Sequence, residues 1–398
     1  MSVISEVDTV VIGAGQAGLS AGYFLRRHEM DFVMLDHSPR AGGAWQFRWP
    51  TLTLGTTHRI NDLPGMALEE SDSSRPASEV VSEYFARYER EFELDVHRPV
   101  DVTSVREADA TGGGGLEGGG LEGGGLEGGG LEGGGSGGSG LGDGGFGGDG
   151  GRLVVESSEG VYAARALINA TGTWDRPFWP RYKGMETFGG RQLHTADYRG
   201  PQEFAGKRVL VVGGGASGVQ ALMEIAPVAA ATTWVTRREP VWVEGPFDGR
   251  VAVARVAERV RRGLPPGSVV SATGLMLTPE VRAARESGVL RRFPIFERVT
   301  PEGVVWPDGR SAEFDVILWA TGFRAALDHL APLRLRGPGG GIAMDGTRVA
   351  ADPRIHLLGY GPSASTIGAN RAGRVAVREV RALLGRLDRS GVRGAIGA

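Results

Sequence analysis

Two glycine-rich turns, and the residues just beyond them, carry the readable chemistry of this chain. Gly13-Ala14-Gly15-Gln16-Ala17-Gly18 has the spacing G-x-G-x-x-G. It follows a short β-branched run at residues 7–12 and opens a helical pattern at about residues 16–28. In that setting each glycine has a task. The first permits a tight turn, the second lets backbone approach a pyrophosphate, and the third lets helix and strand pack closely. The helix N-terminus adds free N–H groups and about half a positive charge. Asp36 ends the next strand-like run, where a carboxylate accepts hydrogen bonds from a ribose hydroxyl.

Gly213-Gly214-Gly215-Ala216-Ser217-Gly218 repeats the pattern, and the two registers can be laid side by side. Gly13 to Asp36 spans 23 positions; the same step from Gly213 reaches Thr236, with Arg237 and Arg238 next. A carboxylate would repel a 2′-phosphate, whereas a guanidinium binds one through paired charged hydrogen bonds. Two nucleotide sites of opposite polarity suit two cofactors. The first is expected to hold FAD and the second NADPH in preference to NADH, with hydride passing from nicotinamide to flavin.

The elements that must position these turns follow from periodicity. Strand, turn, helix and strand make one βαβ unit around Gly13 and a second around Gly213. Strand-like runs that suit the first sheet occur on both sides of the second unit. The fold class is therefore α/β, with two nested Rossmann-like dinucleotide-binding domains in three layers. The FAD domain is expected at residues 1–199 and 316–398, and the inserted NADPH domain at 200–315. Residues 304–306 and 314–320, around an Asp308-Gly309 turn, read as a hairpin. Residues 112–151 are nearly all glycine with a Leu-Glu-Gly-Gly-Gly period, a composition that reads as a disordered surface loop between two strands. Lengthening a loop from about five to about forty residues costs only roughly 2 kcal/mol.

The chain has 398 residues, a net charge of −3 and no cysteine. Its charge gives no field suited to nucleic acid. Without cysteine there is no disulfide, thiolate metal site or redox-active Cys pair. Histidines are scattered, and no metal site is read. Neither a signal peptide nor an apolar run of membrane-spanning length is read, so a cytoplasmic protein is expected.

Residues 188–198, Phe-Gly-Gly-Arg-Gln-Leu-His-Thr-Ala-Asp-Tyr, fit F-x-G-x-x-x-H-x-x-x-Y between the two turns. This resembles the fingerprint of the flavin-containing monooxygenases and their N-hydroxylating relatives. Baeyer–Villiger monooxygenases have a similar motif, usually ending in Trp where this chain has Tyr198. Ala170-Thr171-Gly172 and Ala320-Thr321-Gly322 resemble the family's two domain-crossing junctions. Gly42-Gly43-Ala44-Trp45 resembles its segment beside the flavin. The resemblance implies that NADPH reduces FAD, that reduced flavin captures oxygen as a C4a-(hydro)peroxide, and that one oxygen atom passes to a small molecule.

Carried onto this sequence, the resemblance places His37, Gly43, Ala44, Trp45, Val102, Ala170, Thr171, Gly172, Ser365 and Thr366 with Gly13, Gly15, Gln16, Ala17, Gly18 and Asp36 on the FAD. It places Gly190, Ala320, Thr321 and Gly322 with Gly213, Gly215, Ala216, Ser217, Gly218, Thr236, Arg237 and Arg238 on NADPH. His194, Thr56 and Asn61 are the candidates for a part in the reaction. An Asn often stands near the reacting oxygen in the family, and Gly55 occupies that register here. Two other outcomes follow from the same residues: an NADPH oxidase or reductase, and a flavoprotein that senses NADPH without turnover.

Overall fold

The computed structural model describes residues 4–57, 60–69, 72–108, 151–244, 249–267, 274–364 and 366–396. The glycine-rich segment, His58, Arg59 and Ser365 lie outside the described residues, apart from Gly151.

The first βαβ unit is β1 (Ile4–Ile12), α1 (Gln16–Arg27) and β2 (Phe32–Leu35). Helix α2 (Ala77–Glu91) follows, then β3 (Val96–His97), β4 (Val102–Glu107), β5 (Leu153–Ser157) and the long β6 (Gly160–Asn169). The second unit contains β7 (Arg191–His194), β8 (Arg208–Val212), α3 (Ala216–Ile225) and β9 (Ala231–Thr236). Next come β10 (Trp242–Val243), α4 (Gly249–Arg261), β11 (Leu275–Met276), α5 (Pro279–Glu286) and β12 (Arg292–Pro294). A small antiparallel sheet, β13 (Arg298–Val299), β14 (Gly303–Val305) and β15 (Ser311–Glu313), precedes β16 (Val316–Trp319). The chain then returns through β17 (Met344–Asp345), β18 (Arg348–Val349), β19 (Asp352–Leu357) and α6 (Thr366–Ile396).

Two parallel cores result, with the same plan. One runs β19-β6-β1-β2-β3 and the other β7-β16-β8-β9-β12. In each, the first strand of the βαβ unit lies between its second strand and a later strand, β6 or β16. Strand β6 is long because one edge serves two neighbours: its first half pairs antiparallel with β5 and its last three residues pair parallel with β19.

Two sequence expectations need correction. The hairpin is made by β14 and β15, while residues 316–319 leave it to pair in parallel with both β8 and β7. Strands β7 and β16 therefore belong to the second sheet, so that unit is wider than residues 200–315. All four residues of β16 are buried, which suits a central parallel strand better than one arm of an exposed hairpin.

Apolar residues of α1, α2 and α6 cover one face of the first sheet, including Leu19, Leu25, Val81, Phe85, Val377 and Val380. Helices α1 and α6 come so close that a Cβ on Gly373 would lie 2.6 Å from Ser20 Oγ. A tie between the two units is polar. Glu224, on α3, accepts hydrogen bonds from Trp49 Nε1 (3.2 Å), Thr51 Oγ1 (2.5 Å) and Tyr198 Oη (2.9 Å). Tyr198 is 1% exposed and meets Trp49 edge-on at 5.6 Å. The last residue of the fingerprint thus anchors one unit to the other.

Replacing Glu224 with Ala leaves buried donors on Trp49 and Tyr198 unpaired, which costs about 2 kcal/mol. A lower midpoint of chemical unfolding is the expected result, and an unchanged midpoint would show that the tie contributes nothing.

Candidate active site

Each glycine-rich turn stands at the C-terminal edge of its sheet, where a parallel sheet presents its ligand sites. Gly13 N donates to Leu35 O (2.7 Å) and Gly213 N to Val235 O (2.9 Å). The crossing junctions close the same corners: Ala170 N donates to Ile12 O (2.7 Å) and Ala320 N to Val212 O (2.8 Å). Gly13 and Gly213 have φ of +95° and +135°, and a Cβ on either would strike the carbonyl oxygen of Ala170 or Ala320. A Cβ on Gly18 would lie 1.8 Å from Gly13 O, so this glycine serves the packing of helix on turn.

The middle glycines differ. Gly15 has φ −81° and nothing closer to its Cβ position than 3.9 Å; Gly215 has φ −95° and nothing within 4 Å. The chain's own conformation and packing would accept alanine at both. A bare backbone at both leaves room for a molecule to lie against it. Both cradles fit dinucleotide phosphates, with the N-termini of α1 and α3 behind them.

A cleft at the first turn gathers most of the expected FAD contacts: Gly13, Gly15, Gln16, Ala17, Asp36, His37, Gly43, Ala44, Trp45, Ala170, Thr171 and Gly172. Asp36 is 3% exposed. Its carboxylate accepts from Arg98 Nε at 3.0 Å, and Arg98 in turn forms two hydrogen bonds to Glu89, at 2.7 and 2.8 Å. One carboxylate oxygen of Asp36 is thereby held, and the group is fixed at the cleft wall. His37 lies 3.2 Å from Asp175, whose hydrogen bond raises its pKa. Gln16 Nε2 donates to Asn61 O (3.1 Å) and Asn370 Oδ1 (3.0 Å). Its Oε1 is buried with no protein partner, an acceptor that suits a hydroxyl of the bound cofactor.

Other expected residues fall elsewhere. Gly18 packs the turn, as above. Val102 packs against the core and does not line the cleft. Gly190 precedes β7, wedged between Asp315 O and the Phe188 ring. Because β7 runs parallel to β8, Gly190 stands at the opposite edge from the Gly213 turn, about 16 Å of strand away. Of Thr366, the described fact is that it begins α6.

The reaction candidates also resolve. His194 is 0% exposed. Its Nδ1 accepts from Ala196 N (3.1 Å), so Nε2 carries the proton and donates to Gly322 O (3.1 Å). Burial lowers its pKa, and both nitrogens are engaged, so it pins β7 to the second crossing. Thr56 is exposed and spends its hydroxyl on Thr53 in a local capping turn. Asn61 contributes its carbonyl to Gln16.

At the second site Arg237 and Arg238 are exposed at the end of β9. Thr236 is buried, donating to Arg238 O (2.6 Å) and accepting from Arg292 Nε (2.9 Å). It shapes the corner from below. Arg292, brought there by the parallel pairing of β12 with β9, is a third cation that sequence reading missed. Nothing local to residue 292 signals this position.

The two crossings bond to each other. Phe178 N donates to Gly322 O (2.8 Å), Arg324 N to Arg176 O (2.8 Å) and Ala326 N to Gly172 O (3.0 Å). Thr171 Oγ1 donates to Ala326 O (2.6 Å) and Thr321 Oγ1 to Phe178 O. Thr321 and Gly322 thus build the joint between the units. Beside it, Phe47, Trp174 and Phe323 stack, and Arg48 lies over Trp174 at 4.4 Å.

Comparison with known proteins agrees with this geometry. Residues 11–81 match the family described as NAD(P)-binding Rossmann-like domain, and residues 148–260 match pyridine nucleotide-disulphide oxidoreductase. With no cysteine, the second match concerns the fold of the nucleotide site and not a redox disulfide. A flavin-containing monooxygenase from Stenotrophomonas maltophilia has 38% identity and a TM-score of 0.74, covering 96% of this chain and 100% of its own. Indole-3-pyruvate monooxygenase YUCCA4 of Oryza sativa subsp. japonica is 25% identical over 82% of this chain and 76% of its own. The oxidoreductase CzcO of Bacillus subtilis is 24% identical over 80% and 82%. FAD and NAD(P)H are accordingly the cofactors, and no described helix is long and apolar enough to cross a membrane.

The open middle glycines give a sharp test. Gly15→Ala should leave the melting temperature of the apoprotein unchanged and weaken FAD binding about tenfold or more, equal to roughly 1.4 kcal/mol. Gly215→Ala should do the same to the nicotinamide cofactor alone. Lost stability with unchanged cofactor affinity would mean that these glycines serve the fold.

Proposed function

The chain belongs to the flavin-containing monooxygenases, and on that premise we propose that it uses NADPH and dioxygen to insert one oxygen atom into a small organic substrate. The observation that carries this reading is the contrast between its two nucleotide corners. One ends in a buried carboxylate locked by Arg98, the other in the cations Arg237, Arg238 and Arg292.

When bound, FAD supplies the redox chemistry, taking hydride from the nicotinamide and activating dioxygen. The chain's own residues bind, orient and shield. Backbone N–H groups of the two turns hold phosphates, and Asp36 holds the FAD ribose. The three arginines take the 2′-phosphate that distinguishes NADPH. His194, Thr171 and Thr321 fix the crossings, so the two corners keep one mutual geometry. Trp45, Phe47, Trp174 and Phe323 wall the site with rings that exclude water. Reaction in such a protein depends on positioning and shielding.

A second reading, an NADPH oxidase, draws support from Gly55. It is exposed, packs on Ser73, and brings no amide to the register where relatives often carry Asn.

Two measurements decide. Arg237→Ala should lower kcat/KM for NADPH about tenfold to a hundredfold and leave that for NADH unchanged; an unchanged ratio would remove the assignment. NADPH consumed, oxygen consumed, product formed and hydrogen peroxide released should be followed together over a panel of sulfides, amines and ketones. The monooxygenase reading requires one product per NADPH with some member of the panel. Peroxide equal to NADPH under every condition would leave the oxidase.

A further inference from the structure

Among the described residues, Arg48 is a cation without an anion. It lines the cleft, with its guanidinium carbon 4.4 Å from the ring centre of Trp174 and 5.9 Å from that of Trp45. Among the described residues no hydrogen bond or ion pair reaches its side chain. Burial draws its pKa down to about 10, and among the described residues no carboxylate draws it back. Stacking against rings occupies the flat face of a guanidinium and leaves its N–H edge for an acceptor. Arg48 is half-buried, and two rings only partly replace the hydration lost on its cleft-facing side. That edge faces the cleft and is open to an anion.

The other anions have holders of their own. The flavin pyrophosphate has the open backbone at Gly15 and the N-terminus of α1, and the 2′-phosphate has Arg237, Arg238 and Arg292. What surrounds Arg48 is flat and apolar. Phe47 stacks on Trp174 at 6.3 Å and 9°, and Trp174 stacks on Phe323 at 5.1 Å and 22°. These rings join the FAD cleft to the second crossing, where the two cofactor corners meet.

We propose that Arg48 binds the carboxylate of the substrate, whose flat aryl group lies along Trp174 and Phe323. The substrate class is then aryl carboxylates. This rests on reading the cleft as an oxygenation site and narrows what enters it.

The test is titration of the oxidised holoenzyme, without NADPH, by phenylacetate and by its neutral isostere phenylacetamide, followed through the flavin absorbance. The wild type should bind the acid about tenfold more tightly than the amide or better. Arg48→Met should erase that preference and keep its flavin, and Arg48→Lys should retain part of it. Equal binding of acid and amide by the wild type overturns the proposal. So does an Arg48→Met protein that keeps the acid preference but has lost affinity for FAD or NADPH, since the missing anion is then a cofactor phosphate. Should Arg48→Met fail to fold, the wild-type ratio and its change in Arg48→Lys decide alone. Because no turnover is involved, a protein that prefers the acid yet never oxygenates would refute the proposed reaction and leave the assignment of Arg48 standing.

Discussion

The pairing of two crossing segments, residues 170–178 and 320–326, is the constraint on which the rest depends. One begins at the end of β6 and the other at the end of β16, and each closes the corner that holds a glycine-rich turn. By bonding to each other they bring two C-terminal sheet edges into one joint. A hydride donor in one corner can reach an acceptor in the other only if that joint has a single geometry. The fingerprint between the two units serves the same end. His194 pins the second crossing from one side, while Tyr198, through Glu224 and Trp49, docks α3 against the segment after the first cleft.

Around the joint, charge is distributed by task. Asp36 is buried, and the flanking Arg98 and Glu89 hold it in one orientation. The arginines at the end of β9 are exposed and wait in solvent, where an unpaired cation costs little. His194 is kept neutral by burial and by the use of both its nitrogens, which suits a hinge that must not change with pH across the neutral range. Arg48 departs from this pattern, being half-buried against aromatic rings and, among the described residues, unpaired.

What sequence made legible was whatever the backbone itself demands. Gly13 and Gly213 must adopt positive φ beside a carbonyl, and a strand before and a helix after make that demand visible locally. Counting from those glycines leads to Asp36 and Arg237, which the structure places at the ends of β2 and β9. Long-range pairing left no such mark. Arg98 meets Asp36 across 62 residues, and Arg292 reaches Thr236 only through the parallel pairing of β12 with β9. The Asp-Gly turn before β16 suggests a hairpin arm there, but the turn joins β14 to β15 and β16 pairs in parallel with β8. Gly190 was misplaced because a motif gives spacing without saying which edge of a sheet it will occupy.

The central claim is that electrons from NADPH place an atom of dioxygen in an organic product. The most direct measurement is turnover of the purified holoenzyme under isotopically labelled dioxygen in ordinary water, with mass spectrometry of the products from a mixture of sulfides, amines, ketones and aryl carboxylates. The structure predicts at least one product carrying a single labelled oxygen atom, dependent on NADPH. Unlabelled organic material, with all the label in hydrogen peroxide and water, would contradict it.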